Sequence, residues 1–233
     1  MKLELPNKRN EALTIAEVLV IVALLALLTA ILLPLLAGAR HRSPSFYCRA
    51  NLNQVNLAFR IWAGDNNDKY PMEVSITNGG AMESVATGDV VNCFLAMSNE
   101  LSTPKILCCP EDPTRTPATN FENGFDNSHI SYFIGLDSDE THPQRLMSGD
   151  DNFQLNSVTV PSGLFQFATN APIAWSPDRH VDVRRIPYLR IPTSYKIYGN
   201  LGLADGSVSG LYTPGLQRSL VETGLATNRF AIP

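Results

Sequence analysis

The sequence predicts an α+β fold: a long N-terminal α-helix, transmembrane and then amphipathic, packed on an antiparallel β-sheet with irregular, loop-rich insertions. Three observations predict it. Residues 13–39 are almost wholly apolar, and residues 40–64 carry apolar side chains at helical spacing. Most of the 15 Gly and 16 Pro lie beyond residue 63, where short apolar runs alternate with turn-forming residues. That last pattern suits strands and loops rather than a second helical bundle. The expected segments are 1–12, a cytoplasmic leader; 13–39, the membrane helix; 40–64, its amphipathic continuation; and 65–233, a globular domain.

From Val18 to Ala39 there are 22 residues without a charge, about 33 Å as a helix and roughly the thickness of a bilayer core. One carboxylate, Glu17, stands at the start. An ionisable group there is costly to move inward unpaired, which makes Glu17 the first candidate for a functional residue. The competing reading is a plain signal anchor that tolerates a glutamate. A cleaved secretory signal is disfavoured, because the run is too long and no Ala-x-Ala site follows it. Residues 1–12 are polar, with Lys2, Lys8 and Arg9 against Glu4 and Glu11. Their positive excess holds this end in the cytoplasm and sends the bulk of the chain outward.

Arg40, His41 and Arg42 follow, and Ser43-Pro44 marks a bend or local break. Then Cys48, Leu52, Val55, Phe59 and Trp62 recur at spacings of four and three, with Arg49, Asn53, Asn56 and Arg60 on another face. This is an amphipathic helix with one stripe to bury. Joined to the span it makes a rod of roughly 50 residues, about 75 Å long, with the sheet laid against its outer half.

A net charge of −4 gives no electrostatic footprint for nucleic acid. No P-loop, G-x-S-x-G elbow, H-E-x-x-H or dinucleotide fingerprint occurs, and nothing nominates a nucleophile with its base, so an enzyme is not expected. The four His are scattered, and no C-x-x-C pattern suggests zinc. Asp65 to Asp68 is oxygen-rich, but Lys69 and Tyr70 stand where an EF-hand loop needs a ligand and a glycine; a capped turn is the better reading. Asp137, Asp139 and Glu140 read likewise as a solvated turn.

Ser131 to Leu136 reads as a strand, with others at Gln166–Ala168 and Ile173–Trp175. Gly199 to Ser209 is a hairpin turning at Asp205-Gly206, where positive φ is needed. Cys48, Cys93, Cys108 and Cys109 allow three fully paired connectivities. Vicinal Cys108 and Cys109 rarely bond each other, which favours more distant partners.

The stretch Leu13-Thr14-Ile15-Ala16-Glu17-Val18-Leu19-Val20 strongly resembles the class III signal of type IV prepilins and type II secretion pseudopilins. The resemblance implies cleavage by a prepilin peptidase between Ala12 and Leu13, N-methylation of Leu13, and a role in assembly for Glu17, the fifth residue after the cut. Pro34 stands where relatives often carry a helix-kinking proline. Ala12 replaces the usual Gly, and Leu13 the usual Phe. In the family's filaments the glutamate pairs with the N-terminal amine of a neighbouring subunit, which would fix axial register. Ala23, Ala26 and Ala30 would suit close helix approach.

CRANLNQVNLAFRIWAGDNNDKYP, SNELSTPKILCCPEDPTR and SYFIGLDSDETHPQ resemble a pilin-like group of Verrucomicrobia and Planctomycetes, and NLGLADGSV resembles its DG box. In that group a His precedes Asp-Gly by nine residues; here His180 is separated from Asp205 by 24, so the box is intact only at its DG end. Cys109 precedes Pro110 where relatives carry Cys-Pro, and Cys48 precedes the Asn51-Leu52 motif, which makes Cys48 and Cys109 the candidate disulfide. The resemblance thus implies a pilin-like fold and a structural subunit of a type II secretion pseudopilus or type IV pilus-like filament. Its expected partners are prepilin peptidase, other pilin or pseudopilin subunits, the inner membrane and an assembly platform. The domain is expected on the extracytoplasmic side of a single-pass inner-membrane protein. No cofactor is expected, although some pseudopilins hold calcium in a loop of the globular domain. The alternative is a non-assembling single-span envelope protein with a ligand-binding outer domain.

Overall fold

The computed structural model describes residues 14–39, 43–122, 124–185 and 192–233. The chain divides into two compact units, Met1–Ser43 and Pro44–Pro233. The first holds helix α1 (Ile15–Ala39). Thr14 starts it with a capping box: the Glu17 N–H donates to Thr14 Oγ1 at 3.3 Å, and the Thr14 N–H donates back to Glu17 Oε2 at 2.7 Å.

The second unit is mostly antiparallel β. Its helices are α2 (Ser43–Asp65), three short ones, α3 (Met82–Ala86), α4 (Val91–Ala96) and α5 (Ser98–Leu101), and α6 (Thr213–Glu222). Its strands are β1 (Tyr132–Gly135), β2 (Leu146–Asp150), β3 (Phe153–Leu155), β4 (Val158–Thr159), β5 (Gly163–Ala168), β6 (Ile173–Trp175), β7 (Val181–Arg185), β8 (Pro192–Leu203), β9 (Val208–Tyr212) and β10 (Thr227–Ile232). Seven strands form one sheet in the order β5-β10-β1-β2-β8-β7, with β9 also paired to β8, and β4-β3-β6 form a second. Every described pairing is antiparallel.

Period-two alternation puts the large sheet between two cores. Tyr132 and Ile134 of β1, Met147 of β2 and Ala231 of β10 face the stripe on α2, where Cys48, Leu52, Val55, Phe59 and Trp62 are buried. Phe133, Leu146 and Phe230, their immediate neighbours in sequence, face Phe153, Trp175, Leu216 and Leu220 of the small sheet and α6. There Phe133 stacks on Phe230 at 4.3 Å and Phe153 on Trp175 at 5.1 Å between centroids. Asn56 is the buried polar residue on the α2 side. It accepts a hydrogen bond from Ser148 Oγ and donates to the carbonyls of Leu203 and Ser207, both at 3.5 Å.

These observations correct the expected α+β, pilin-like architecture. The second unit is a mostly antiparallel β domain with few helices, and α2 belongs to that unit. Pro44 falls in the first described turn of α2, where a missing N–H is tolerated. The expected junction at 40–42 lies outside the described residues. So do Leu13 and the side chains at 31 and 33–39 of the expected membrane helix. Among the described residues, no helix is long and apolar enough to cross a membrane.

The strand read at Ser131–Leu136 is β1, those at 166–168 and 173–175 fall in β5 and β6, and the Gly199–Ser209 hairpin joins β8 to β9. At its turn Gly206 has φ 88° and Ser207 N–H donates to Asp205 Oδ1. After α2, Asn67 and Asp68 take left-handed φ values of 58° and 56°, and the Asp68 N–H donates to Ala63 O at 2.9 Å.

Candidate functional site

Of the residues singled out in the sequence, Ala12 and Leu13 lie outside the described residues. Glu17 is exposed in the first turn of α1, where its carboxylate accepts both the N–H and the hydroxyl of Thr14. The backbone at Pro34 is helical. Cys48 and Cys109 form a disulfide, with sulfurs 2.07 Å apart and Cα atoms 4.9 Å apart, while Cys93 and Cys108 are buried free thiols. Asp137 pairs with Arg229, Asp139 with Arg145 and His142, and Glu140 with Arg60, so the acidic turn is matched by cations.

The disulfide opens onto a buried polar cluster built from four separate stretches. Cys109, Glu111 and Asp112 lie just after the turn at Pro104–Leu107; Ser131 precedes β1; Asp150 ends β2 and Asp151 follows it; Arg179 and His180 precede β7. His180 Nε2 lies 3.6 Å from Cys109 Sγ and 3.0 Å from Asp150 Oδ2. Its other ring nitrogen, Nδ1, lies 2.8 Å from Glu111 Oε2. His180 has φ 49°, a left-handed conformation unusual outside glycine. In it the backbone N–H also donates to Glu111 Oε2, at 3.2 Å. Asn200 of β8 also holds Asp150, donating to Oδ2 from its backbone at 2.6 Å and its amide at 2.9 Å, with the amide nitrogen 3.4 Å from His180 Nε2.

A second layer backs the first. Arg179 contacts Asp112 at 2.9 Å and also Asp151, and Arg115 reaches Asp151 at 3.0 Å. Ser131 Oγ donates to Asp112 and accepts the Cys109 N–H, tying this layer to the disulfide.

No family model matches the chain, nor does any curated protein or solved structure. Function must be read from these residues.

Burial disfavours a charged His180, but the hydrogen bonds and charges of Asp150 and Glu111 outweigh it and raise the imidazole to about 9. Asp151 goes the other way from an ordinary carboxylate: burial lifts it to about 6 despite Arg179 and Arg115. Asp112 is also partly desolvated, yet Arg179 and the hydrogen bonds of Thr114 and Ser131 hold it below its usual range. The cluster is therefore an alternating array of charges around the disulfide. The bonded sulfurs of Cys48 and Cys109 and a ring nitrogen of His180 all lie within 4.8 Å of one another.

Sequence reasoning named Cys48 and Cys109 but not Glu111, Asp150, Arg179 or Asn200. The available signal was the pairing of adjacent charged residues, Glu111-Asp112, Asp150-Asp151 and Arg179-His180, in stretches otherwise apolar or turn-forming. His180 came to notice only through its place before the DG box, which it does not contact: its ring sits at the disulfide, while the Asp205 carbonyl accepts from Arg60 at 2.8 Å.

Proposed function

We propose that this chain is a structural subunit of a type II secretion pseudopilus or type IV pilus-like filament. In this reading prepilin peptidase cuts between Ala12 and Leu13, and the mature chain polymerises through its N-terminal helix. The observation that supports it is the surface of α1. Ile15, Leu19, Leu24, Leu27 and Leu28 are all more than half exposed, and Glu17 is the lone carboxylate among them. A helix apolar all round needs cover from lipid or from other helices. A filament supplies both in turn, lipid of the inner membrane before assembly and neighbouring subunits after it. Cleavage would place a free amine at Leu13, beside the Thr14–Glu17 box, where the carboxylate of an adjacent subunit can take it as a partner.

The test is Glu17→Leu in a host with an active prepilin peptidase. We expect normal abundance, membrane location and cleavage, with loss from sheared filament fractions, and an intermediate level for Glu17→Asp. Wild-type amounts of Glu17→Leu in purified filaments would refute the pairing, and cleaved but never assembled wild-type protein would favour the single-span envelope reading.

A further inference from the structure

The disulfide cluster has the parts of a metal centre in a different redox state. We infer that Cys48, Cys109, His180 and Asp150 form a tetrahedral site for a thiophilic divalent cation, zinc, once the Cys48–Cys109 bond is reduced. The inference is independent of filament assembly.

The first argument is donor chemistry and spacing. Two thiolates, an imidazole and a carboxylate are a zinc ligand set, with Zn–S near 2.3 Å and Zn–N or Zn–O near 2.0 Å. Tetrahedral angles then require about 3.6 Å between a sulfur and the ring nitrogen, and about 3.3 Å between nitrogen and carboxylate oxygen. Cys109 Sγ is 3.6 Å from His180 Nε2, and Asp150 Oδ2 is 3.0 Å from the same nitrogen. Reduction must part the sulfurs to about 3.8 Å, and Asp150, which lies outside the group of Cys48, Cys109 and His180 within 4.8 Å of one another, must close on them. Rotation about the Cα–Cβ bonds of the two cysteines moves the sulfurs apart while the Cα atoms stay 4.9 Å from each other.

The second argument is an unused donor. Asp150 is wholly buried, and its Oδ2 takes both bonds from Asn200, yet Oδ1 has no hydrogen-bond partner among the described residues. A buried carboxylate oxygen left unpaired is costly; with Oδ1 turned onto the cation as the ligand atom it would gain a partner, while Oδ2 keeps its bonds from Asn200. The third argument is the support behind the ligand. Glu111 accepts from His180 Nδ1 and leaves Nε2 facing the sulfur, the carboxylate–histidine arrangement that orients metal-binding imidazoles. Two thiolates and Asp150 against one divalent ion leave a single negative charge, and the neighbouring Arg179 guanidinium opposes it.

The conversion balances. A dithiol reductant gives two electrons and two protons, breaking the Cys48–Cys109 bond to two thiols while its own sulfurs join as a disulfide. Zinc then replaces one proton on each thiol, and any proton on His180 Nε2 leaves with them. In the reverse direction a small-molecule disulfide accepts two electrons and two protons to become a dithiol, while the two cysteine sulfurs re-form their bond and the metal is expelled.

The experiment uses the full chain in detergent, reduced by a dithiol with zinc present, then exchanged into cobalt(II) under anaerobic conditions. The expected result is one metal per reduced chain, thiolate-to-cobalt charge transfer, and the strong visible bands of tetrahedral cobalt. The oxidised chain should bind none. Glu111→Gln, at a side chain 24% exposed and so least disruptive to folding, should weaken affinity tenfold to a hundredfold. Asp150→Asn should weaken it as well, and Cys108→Ser should leave it unchanged. Uptake surviving in Cys48→Ser, or loss in Cys108→Ser, would overturn the assignment. So would a reduced chain that binds no cobalt, whether it stays folded or unfolds despite the metal.

Discussion

Asn56 on α2 occupies the space that a side chain at position 202 of β8 would need: a Cβ built on Gly202 would lie 2.2 Å from Asn56 Nδ2. The helix therefore rests on the strand backbone, and the amide bridges to Ser148 on β2. Gly202→Ala should destabilise the chain by about 1–3 kcal/mol through overpacking. Asn56→Ala should cost a similar amount by stripping a partner from buried Ser148. Because the second change makes room for the first, the double variant should lose less than the sum of the two. Urea unfolding of the three variants gives the coupling directly, and strict additivity would contradict the packing described.

Thr14 and Glu17 separate two roles for one carboxylate. Thr14→Ala removes the cap hydroxyl and should loosen the start of α1 by about 1 kcal/mol, while leaving Glu17 charged. Filament yield should stay near wild type in Thr14→Ala and fall in Glu17→Leu. Equal loss in both would assign Glu17 to capping rather than to assembly.

The disulfide closes a loop between positions separated by 61 residues, worth about 4 kcal/mol in the chain-entropy description. Cys48→Ser should lower unfolding stability by roughly that amount, and added reductant should then have no further effect. Peptide mapping without reduction should recover Cys48 joined to Cys109, with Cys93 and Cys108 alkylated only after unfolding.

Legibility in the sequence followed the range of the interaction. The stripe from Cys48 to Trp62 and the turn at Asp205-Gly206 are set by neighbours within a few residues, and periodicity exposes both. The strand order is not local: β10 lies between β5 and β1, and β8 between β2 and β7, so pairings join segments far apart in the chain. Apolar spacing persists on both sides of Ser43-Pro44, so it does not mark where one unit ends and the next begins. Periodicity reports which face is apolar but not which body covers it, and α2 is covered by the sheet. Cys48 and Cys109 were singled out through resemblance. Their surroundings were not, since His180 is 71 positions from Cys109 and 69 from Glu111.

His180 makes stability depend on alkaline pH. Its folded value, about 9, lies above the unfolded value near 6.5. The stabilisation by Asp150 and Glu111 is therefore fully present below about pH 6.5 and is lost as pH rises through 9. The gap corresponds to about 3 kcal/mol. Unfolding free energy of the oxidised chain should fall across this window, and the fall should vanish in His180→Gln. At the other end, Asp112 is held below its usual range, so its contribution is present above about pH 3.8 and is lost on further acidification. Asp112→Asn should flatten that acidic limb while leaving the alkaline one in place.

The position of Cys48 also has a mechanical meaning. Chain entering the second unit at Pro44 reaches this cysteine after four residues, and the bond to Cys109 leads straight on toward β1. Tension applied between the N-terminal segment and a far point on the sheet would pass through sulfur, while residues 49–108 hang as a slack covalent bypass. Helix α2 and the three short helices would then be spared the load, and the bond that yields first would be a hydrogen bond of the sheet. Reduction would reroute the same pull through α2, peeling it from the strands one turn at a time.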